Sequence, residues 1–306
     1  MILPQKLSFL FTSVVLIDNI IMFIKRENDP FVMGGIKYMG IGKQVRLNRI
    51  FAHPSGRFFS VAVDHFIGYT NRWEGLPVGL RQIQETLSAI VKGRPDAITM
   101  HKGIAKSVWE PYAGSIPFIL QSTIARPDDQ AREQIATPED AIRLGADAFA
   151  VACFICGKDE DKKLRILADC VREADRFDLP VIAHVYPRDI TLPVPEVSFK
   201  PELIAWAVRC GLECGADVIK TPFCGDVSAF SQIVDECPLP VIAAGGPKAD
   251  TIDLALKMAD DVIKSGAKGM TVGRNVWGFS DITKAVKLFS SVIHDRMSVE
   301  TVISNQ

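Results

Sequence analysis

The sequence has almost no net charge. Its 306 residues include 35 Lys and Arg against 36 Asp and Glu, which gives a formal net charge of −1 at pH 7. Without an excess of basic residues, the chain has no general electrostatic attraction for nucleic acid or for an anionic membrane surface. We therefore expect no nucleic-acid partner, and we expect any anionic ligand to be held by a local site.

Cysteine is sparse, and its spacing does not match a zinc ribbon. The seven cysteines are an odd number, and Cys153 and Cys156 form the sole CxxC pair. This pattern is typical of reduced thiols in a cytosolic protein rather than of a disulfide framework. We predict a cytoplasmic location, with a redox or metal role for the CxxC pair as the alternative.

Before residue 40 the sequence has one long apolar run, at residues 7–24, which read LSFLFTSVVLIDNIIMFI. A membrane-spanning helix has about this length, but a central aspartate such as Asp18 costs about 2.5–3.5 kcal/mol on insertion scales. The basic start and small-residue cleavage site of a signal peptide are also missing. Three interpretations stay open: a true start at Met33 or Met39, a docked helix or hairpin, and a membrane anchor.

From residue 58 onward, short apolar runs alternate with amphipathic stretches. The runs are 58–65, 96–102, 117–123, 147–153, 179–187, 216–221, 239–246 and 269–275. Each run is apolar throughout rather than alternating, which is typical of parallel strands covered on both faces. The spacing predicts helices over 78–91, 158–177, 201–214, 227–234, 251–265 and 281–294.

This alternation over about 250 residues predicts a (β/α)8 TIM barrel. A doubly wound open sheet is the rival fold, but its GxGxxG fingerprint does not follow the first apolar run. We expect an N-terminal extension over residues 1–45, a barrel domain over 46–295 and a C-terminal tail over 296–306.

Polar residues gather at the predicted C-terminal ends of the strands, where a TIM barrel builds its active site. They are Asp64, His65, His101, Lys102, His184, Tyr186, Arg188, Lys220, Gly245, Gly246, Lys248, Gly273 and Arg274. The segments AAGGPK (243–248) and VGRN (272–275) follow the last two strands, the usual phosphate-binding place in this fold. A guanidinium pairs with phosphate through two hydrogen bonds. We predict a phosphate site there; ordinary glycine turns with a surface arginine are the alternative.

Lys220 ends an apolar run, and burying an ammonium costs several kcal/mol unless it is paired or neutral. As a free amine, this lysine is a nucleophile for a carbonyl carbon, and the resulting imine draws electrons from a breaking C–C bond. We expect burial and a neighbouring cation, either Lys102 or Arg188, to lower its pKa. Simple pairing with Asp64 or Asp226 is the alternative.

Proton transfer in such a reaction needs a second group. Tyr186 and Asp64 are the candidates, as a general acid/base and as a carboxylate that binds a hydroxyl or relays the proton.

The motifs together resemble the archaeal-type class I fructose-bisphosphate aldolases and the wider DeoC/FbaB-like aldolase family. Relatives in that family include aminodideoxyheptulosonate synthase and autoinducer-2 phosphate thiolase. The shared motifs are VDH (63–65), YPR (186–188), GADVIKT (215–221) with GD (225–226), GGPK (245–248) and VGRNVW (272–277). They occur in family order and span about residues 45–295.

The resemblance implies a lyase that cleaves or forms a C–C bond in a phosphorylated ketose without cofactor or metal, in a homo-oligomer. It makes Lys220 the Schiff-base lysine, Tyr186 the proton-transfer residue and Asp64 the active-site acid. The two glycine loops would hold the substrate phosphate. The remaining expected substrate-binding residues are His65, Lys102, His184 and Arg188.

The sequence also departs from the family pattern. Phe66 stands where relatives often have glycine, His184 where they often have tryptophan, and Asp189 where glycine commonly follows YPR. These positions are expected to line the pocket, so they leave the identity of the substrate more open than the mechanism. The choice among aldol, transaldol and thiolysis chemistry is also open. Residues 68–77 are a further candidate substrate loop.

Two other function classes are compatible with the residues. Three imidazoles, His65, His101 and His184, are a candidate ligand set for Zn²⁺ in a metal-dependent lyase. A non-enzymatic sugar-phosphate sensor would bind the same ligand without turnover.

Overall fold

The computed structural model describes residues 13–17, 20–24, 40–67, 78–127 and 132–304. The chain divides into two compact units, Met1–Lys37 and Tyr38–Gln306. In the first unit, the strands Ser13–Ile17 and Ile20–Ile24 pair antiparallel, so a hairpin occupies part of the apolar N-terminal run. Met33 and Met39, the alternative starts, lie outside the described residues. None of the helices described is both long and apolar enough to cross a membrane.

Eight parallel strands form a closed barrel in the second unit. Barrel strands 1 to 8 are Phe58–Ala62, Ala97–His101, Phe118–Gln121, Ala148–Ile155, Val181–Asp189, Val218–Pro222, Val241–Ala244 and Gly269–Val272. Each strand pairs with the next along the chain, and strand 8 pairs with strand 1, which closes the barrel. Every predicted apolar run overlaps one of these strands, so the predicted TIM barrel is confirmed.

The helices of the second unit alternate with the strands. They are α1 Ile41–Ile50, α2 Ile83–Gly93, α3 Lys102–Val108, α4 Pro138–Arg143, α5 Glu160–Asp175, α6 Pro201–Glu213, α7 Val227–Asp235, α8 Ile252–Lys264, α9 Arg274–Trp277, α10 Ile282–Ile293 and α11 Val299–Ser304. The six predicted helices are all present. The first of them is shorter than expected, because Val78–Leu80 forms a separate 3-10 turn. The helix α11 lies within the expected C-terminal tail.

Apolar side chains fill the N-terminal end of the barrel. They form one buried cluster: Leu47, Ile50, Phe51, Phe58, Ala97, Ile119, Ala148, Ala150, Ile182, Val218 and Ile242. The first two belong to α1, which therefore packs against the strands and closes this end. Lys43 of α1 also pairs with Asp175 at 2.6 Å and with Asp217 at 3.0 Å. The helix thus begins within the extension that was expected to end at residue 45.

Nearer the C-terminal end, the strands carry buried polar residues. These are Ser60, Thr99, Gln121, His184, Lys220 and Thr271. The parallel register places Lys220 beside His184, and the Ser60 hydroxyl donates to Thr271 Oγ1 at 2.8 Å. Because buried polar groups need partners or a ligand, this end of the barrel is where a functional site is expected.

Candidate active site

A cavity of about 290 Å³ opens at the C-terminal ends of the strands. Its lining includes seven of the predicted site residues: His65, Tyr186, Lys220, Gly245, Gly246, Gly273 and Arg274. The structure therefore brings the predicted amine, the phenol and both glycine loops to one pocket.

Lys220 lies in the lining of this cavity on barrel strand 6, and only 4% of the residue is exposed. Burial lowers its pKa from the ordinary 10.5 to about 8, while the negative charge of Asp64 opposes the shift. Within the described part of the chain, no carboxylate forms an ion pair with Lys220. Asp226, the other suggested partner, instead caps α7 by accepting from Ala229 N–H.

Of the two predicted causes of the lowered pKa of Lys220, burial is confirmed and the neighbouring cation is wrong. Lys102 ion-pairs with Asp140 at 3.2 Å. Arg188 is fully buried, and its guanidinium donates to the backbone carbonyls of Cys156, at 2.6 and 2.9 Å, and Pro127, at 3.0 Å. Neither Lys102 nor Arg188 lines the cavity. The expected contact of these two side chains with the substrate therefore has no support in the geometry.

Asp64 is buried beside the cavity and anchors a polar network. Its Oδ2 accepts from Gln121 Nε2 at 3.0 Å, and its Oδ1 lies 3.3 Å from His65 Nδ1. Burial opposes ionisation of Asp64, but hydrogen bonding with His65 and the positive charge of Lys220 hold its pKa well below its usual range. Asp64 is therefore an anion at neutral pH.

Sequence reasoning missed Gln121, which ends barrel strand 3 at the same mouth. A polar residue at the end of an otherwise apolar run was the available signal. Gln121 also offers its backbone carbonyl to His101 Nδ1, 3.1 Å away, so it connects two of the predicted site residues.

The three imidazoles near the cavity are held in their neutral form. Burial lowers the pKa of His65, although the hydrogen bond to Asp64 opposes the shift. Burial also lowers the pKa of His101 and, further, that of His184, where the charge of Lys220 adds to it. No group of three or more potential metal ligands occurs within the described ranges, and His101 and His184 do not line the cavity.

Tyr186 lies in the cavity lining on barrel strand 5. Its ring stacks on Phe154 with centroids 5.4 Å apart, and only 8% of the residue is exposed. Phe154 is paired with Tyr186 in the register of strands 4 and 5. The packing therefore fixes the ring at the wall of the pocket that contains Lys220.

The two glycine loops come together where strands 7 and 8 end. Gly245 N–H donates to Thr271 O at 2.9 Å, and Arg274 Nη2 donates to Gly246 O at 3.1 Å. A Cβ atom at residue 273 would collide with the His65 ring, and Gly246 has a φ of 64°. Glycine is therefore required at both positions, by close packing at the first and by backbone conformation at the second.

Lys248 is not placed as expected. Its ammonium donates to Ala249 O at 3.1 Å and lies 4.3 Å from the ring centre of Phe279. It does not line the cavity; the cation–π contact holds the side chain against Phe279 instead. The candidate substrate loop 68–77 lies outside the described residues.

Comparison with known proteins agrees with this geometry. A model of the DeoC/LacD family of aldolases matches residues 58–278. The chain is 32% identical to 2-amino-3,7-dideoxy-D-threo-hept-6-ulosonate synthase of Halobacterium salinarum, over 86% of this chain and 96% of that protein. It is 34% identical to the class 1 fructose-bisphosphate aldolase of Thermoproteus tenax, over 65% of this chain and 75% of that protein.

A solved structure of an aldolase also matches the fold of this chain. An archaeal fructose-1,6-bisphosphate aldolase, with its catalytic lysine covalently bound to the carbinolamine intermediate of the substrate, matches with a TM-score of 0.72 and 29% identity. The match covers 82% of this chain and 99% of that one. The family model covers all eight barrel strands and both glycine loops. The chain therefore belongs to the DeoC/LacD family of aldolases.

Proposed function

We propose that this protein is a class I aldolase that breaks or forms a C–C bond in a phosphorylated ketose through an imine on Lys220. The observation that carries the proposal is the buried Lys220 amine, which shares one cavity with Tyr186 and with both glycine loops. Each part of the proposed reaction has a residue in or beside that cavity.

The covalent step begins with attack of the neutral Lys220 Nζ on the ketone carbon. A C–N bond forms, the carbonyl oxygen takes a proton, and the carbinolamine loses water to give an imine. A base, for which Tyr186 is our candidate, takes the proton of the hydroxyl on the leaving carbon. The C–C bond breaks, its electron pair moves to the protonated imine to give an enamine, and the other fragment leaves as an aldehyde. Protonation of the enamine and hydrolysis then return the free amine and release the second fragment.

The pKa of Lys220 makes this attack feasible near neutral pH. With a pKa of about 8, roughly a tenth of the amine is neutral at pH 7. An ordinary lysine with a pKa near 10.4 is only about 0.04% neutral at that pH. Burial therefore raises the concentration of the reactive form by more than two orders of magnitude.

Tyr186 is our candidate for proton transfer, since its ring borders the same cavity as Lys220. We assign Asp64 a supporting electrostatic role. Its carboxylate is ionised and buried next to His65, which borders the cavity, and a fixed negative charge stabilises the cationic imine.

The glycine loops and Arg274 are our candidates for binding the phosphate of the substrate. Glycine lets backbone N–H groups approach an anion closely, and the guanidinium adds a charge-assisted hydrogen bond. The loops follow the last two barrel strands, which is a frequent phosphate-binding place in TIM barrels.

A transaldol reaction is the second candidate, by analogy with the Halobacterium synthase. The alignment with that relative covers 86% of this chain, against 65% for the Thermoproteus aldolase. Thiolysis of an autoinducer-2-like phosphate is a third candidate, and in our proposal it would also proceed through Lys220. Cytoplasmic location and a homo-oligomer remain proposals based on the cysteine pattern and on the family resemblance.

Borohydride trapping tests the imine directly. The protein is incubated with a panel of ketose and triose phosphates, reduced with sodium borohydride, digested and analysed by mass spectrometry. We expect a substrate-sized adduct on Lys220, with Lys102 unmodified in the same digest, and no adduct in Lys220→Ala. An adduct on another lysine would overturn the assignment. Loss of activity with EDTA would instead indicate a metal-dependent lyase, and binding without turnover would indicate a sensor.

A further inference from the structure

Asn275 is a buried residue next to Arg274 that the proposed reaction does not use. Only 1% of it is exposed. Its Nδ2 donates to the carbonyls of Gly245 and Pro247, both at 2.8 Å, and its Oδ1 accepts from Ala249 N–H at 2.7 Å. Every polar atom of the side chain is thus used on the loop after strand 7, and the pattern of donors and acceptors fixes the orientation of the amide.

These bonds orient two peptide groups. The peptide bonds of the loop are trans, so each carbonyl points away from the N–H of the following residue. Holding Gly245 O and Pro247 O toward Asn275 therefore directs the N–H groups of Gly246 and Lys248 to the opposite side of the loop. Gly246 lines the cavity and Asn275 does not, which is the arrangement expected if the side of the loop away from Asn275 borders the pocket.

Both of these N–H groups are available to a ligand. Within the described ranges, neither Gly246 N–H nor Lys248 N–H donates a hydrogen bond. Between them, Gly246 O accepts from Arg274 Nη2 at 3.1 Å. Two adjacent side chains, of Arg274 and Asn275, therefore hold three successive carbonyls of the loop. Two N–H donors on one side of a fixed loop are suited to an anion. Of these two residues, Gly246 lines the cavity and Lys248 follows it outside the lining.

We propose that Asn275 is a positioning residue for the substrate phosphate. It does not touch the substrate; it fixes the peptide planes whose N–H groups bind the phosphate. This rests on the proposed function for the identity of the ligand, but the binding of inorganic phosphate does not depend on the chemistry at Lys220.

The test compares Asn275→Leu with the wild type by calorimetric titration with inorganic phosphate and by steady-state kinetics. We expect the Kd for phosphate and the KM for phosphorylated substrate to rise together, by about 10- to 100-fold, as loss of charge-assisted hydrogen bonds predicts. We expect kcat to change less than about threefold, since the reacting carbon is remote from this loop. Borohydride trapping of dihydroxyacetone, which has no phosphate, should match the wild type.

Two further variants keep the result interpretable. Asn275→Ser is a milder change that serves if the leucine variant does not fold. Thr283→Val removes another part-buried side-chain hydrogen bond, from Thr283 Oγ1 to Ala89 O at 2.8 Å, away from the cavity. It should leave phosphate affinity unchanged, which separates positioning from a general loss of stability.

Unchanged phosphate affinity in a folded Asn275 variant would overturn the proposal. So would an equal loss of trapping with dihydroxyacetone and with dihydroxyacetone phosphate, which indicates a purely structural role. If the Asn275 variants lose phosphate affinity but the wild type forms no adduct on Lys220, the proposed aldolase reaction fails while this inference stands.

Discussion

Lys220 illustrates how a single buried side chain sets the pH dependence of a whole reaction. Burial lowers its pKa to about 8, so the amine is protonated and inert at lower pH and neutral above it. We predict that the rate of imine formation rises about tenfold per pH unit from pH 6 and levels off above pH 8. Single-turnover trapping across pH 6–10 measures this. A rate that still rises steeply at pH 10 would show an ordinary, solvated lysine.

Tyr186 tests the proton-transfer assignment at the same scale. Tyr186→Phe removes the hydroxyl and keeps the ring that stacks on Phe154. We expect the chemical step to slow by about 10²- to 10⁴-fold, the usual range for a general acid/base. Rapid-quench single turnovers measure the step. Tyr112→Phe is the matched control, because Tyr112 packs on Trp109 outside the cavity. Equal rates for the two variants would contradict the assignment.

Arg274 tests the phosphate site. Arg274→Ala removes the guanidinium that lines the cavity. We predict a raised KM for phosphorylated substrate with little change in kcat, since a phosphate remote from the reacting carbon is bound about equally in the ground state and the transition state. Steady-state kinetics measure both constants, with the exposed Arg209→Ala as the control. An unaltered KM would show that the phosphate binds elsewhere.

Single residues also mark the limit of prediction from sequence. Lys220 and the glycine loops were found because an ammonium at a buried strand end and a glycine pair are unusual. Arg188 was misplaced because a strand end does not reveal which carbonyls a long guanidinium will reach. Gln121 left one signal, a polar residue at the end of an apolar run, whereas Asn275 left none; the role of each amide depends on partners far away in the chain.

At the scale of elements, α1 shows how a helix outside the repeating units supports the barrel. Ile50 is fully buried among the apolar residues at the N-terminal end of the strands. We predict that Ile50→Ala lowers the free energy of unfolding by about 2–5 kcal/mol and leaves KM unchanged. Urea denaturation measures this, and Val45→Ala, on the exposed face of the same helix, is the control. Equal stability of the two variants would show that α1 is dispensable.

The strands and helices differ in how well they can be predicted from the sequence. Each barrel strand is covered on both faces, so a continuous apolar run identified it. The helices α4 and α9 have six and four residues, which is too short for a 3.6-residue period to show. The helix α1 comes before barrel strand 1, so the strand–helix alternation that revealed the other helices did not extend to it.

At the scale of the whole molecule, the buried imidazoles tie stability to pH. His65, His101 and His184 have lowered pKa values in the folded state, mainly through burial. Below about pH 6.5 the unfolded chain therefore binds more protons than the folded protein. We predict that the free energy of unfolding falls as the pH drops from 7 to 5.

Denaturant titrations at several pH values measure this loss, and His184→Gln should reduce the slope. A stability that is level over this range would contradict the burial of neutral imidazoles. The Asp64 carboxylate adds a separate loss at lower pH, because its pKa is depressed in the folded state.

Because α1 and its apolar neighbours fill the N-terminal end of the barrel, the described residues leave the C-terminal ends of the strands as the open end. Sugar enters, and both products depart, by the same rim. The water that hydrolyses the imine on Lys220 enters through the same opening. In our mechanism the aldehyde is not covalently bound and leaves first. Water then enters and hydrolyses the imine, and the phosphate-bearing fragment leaves last.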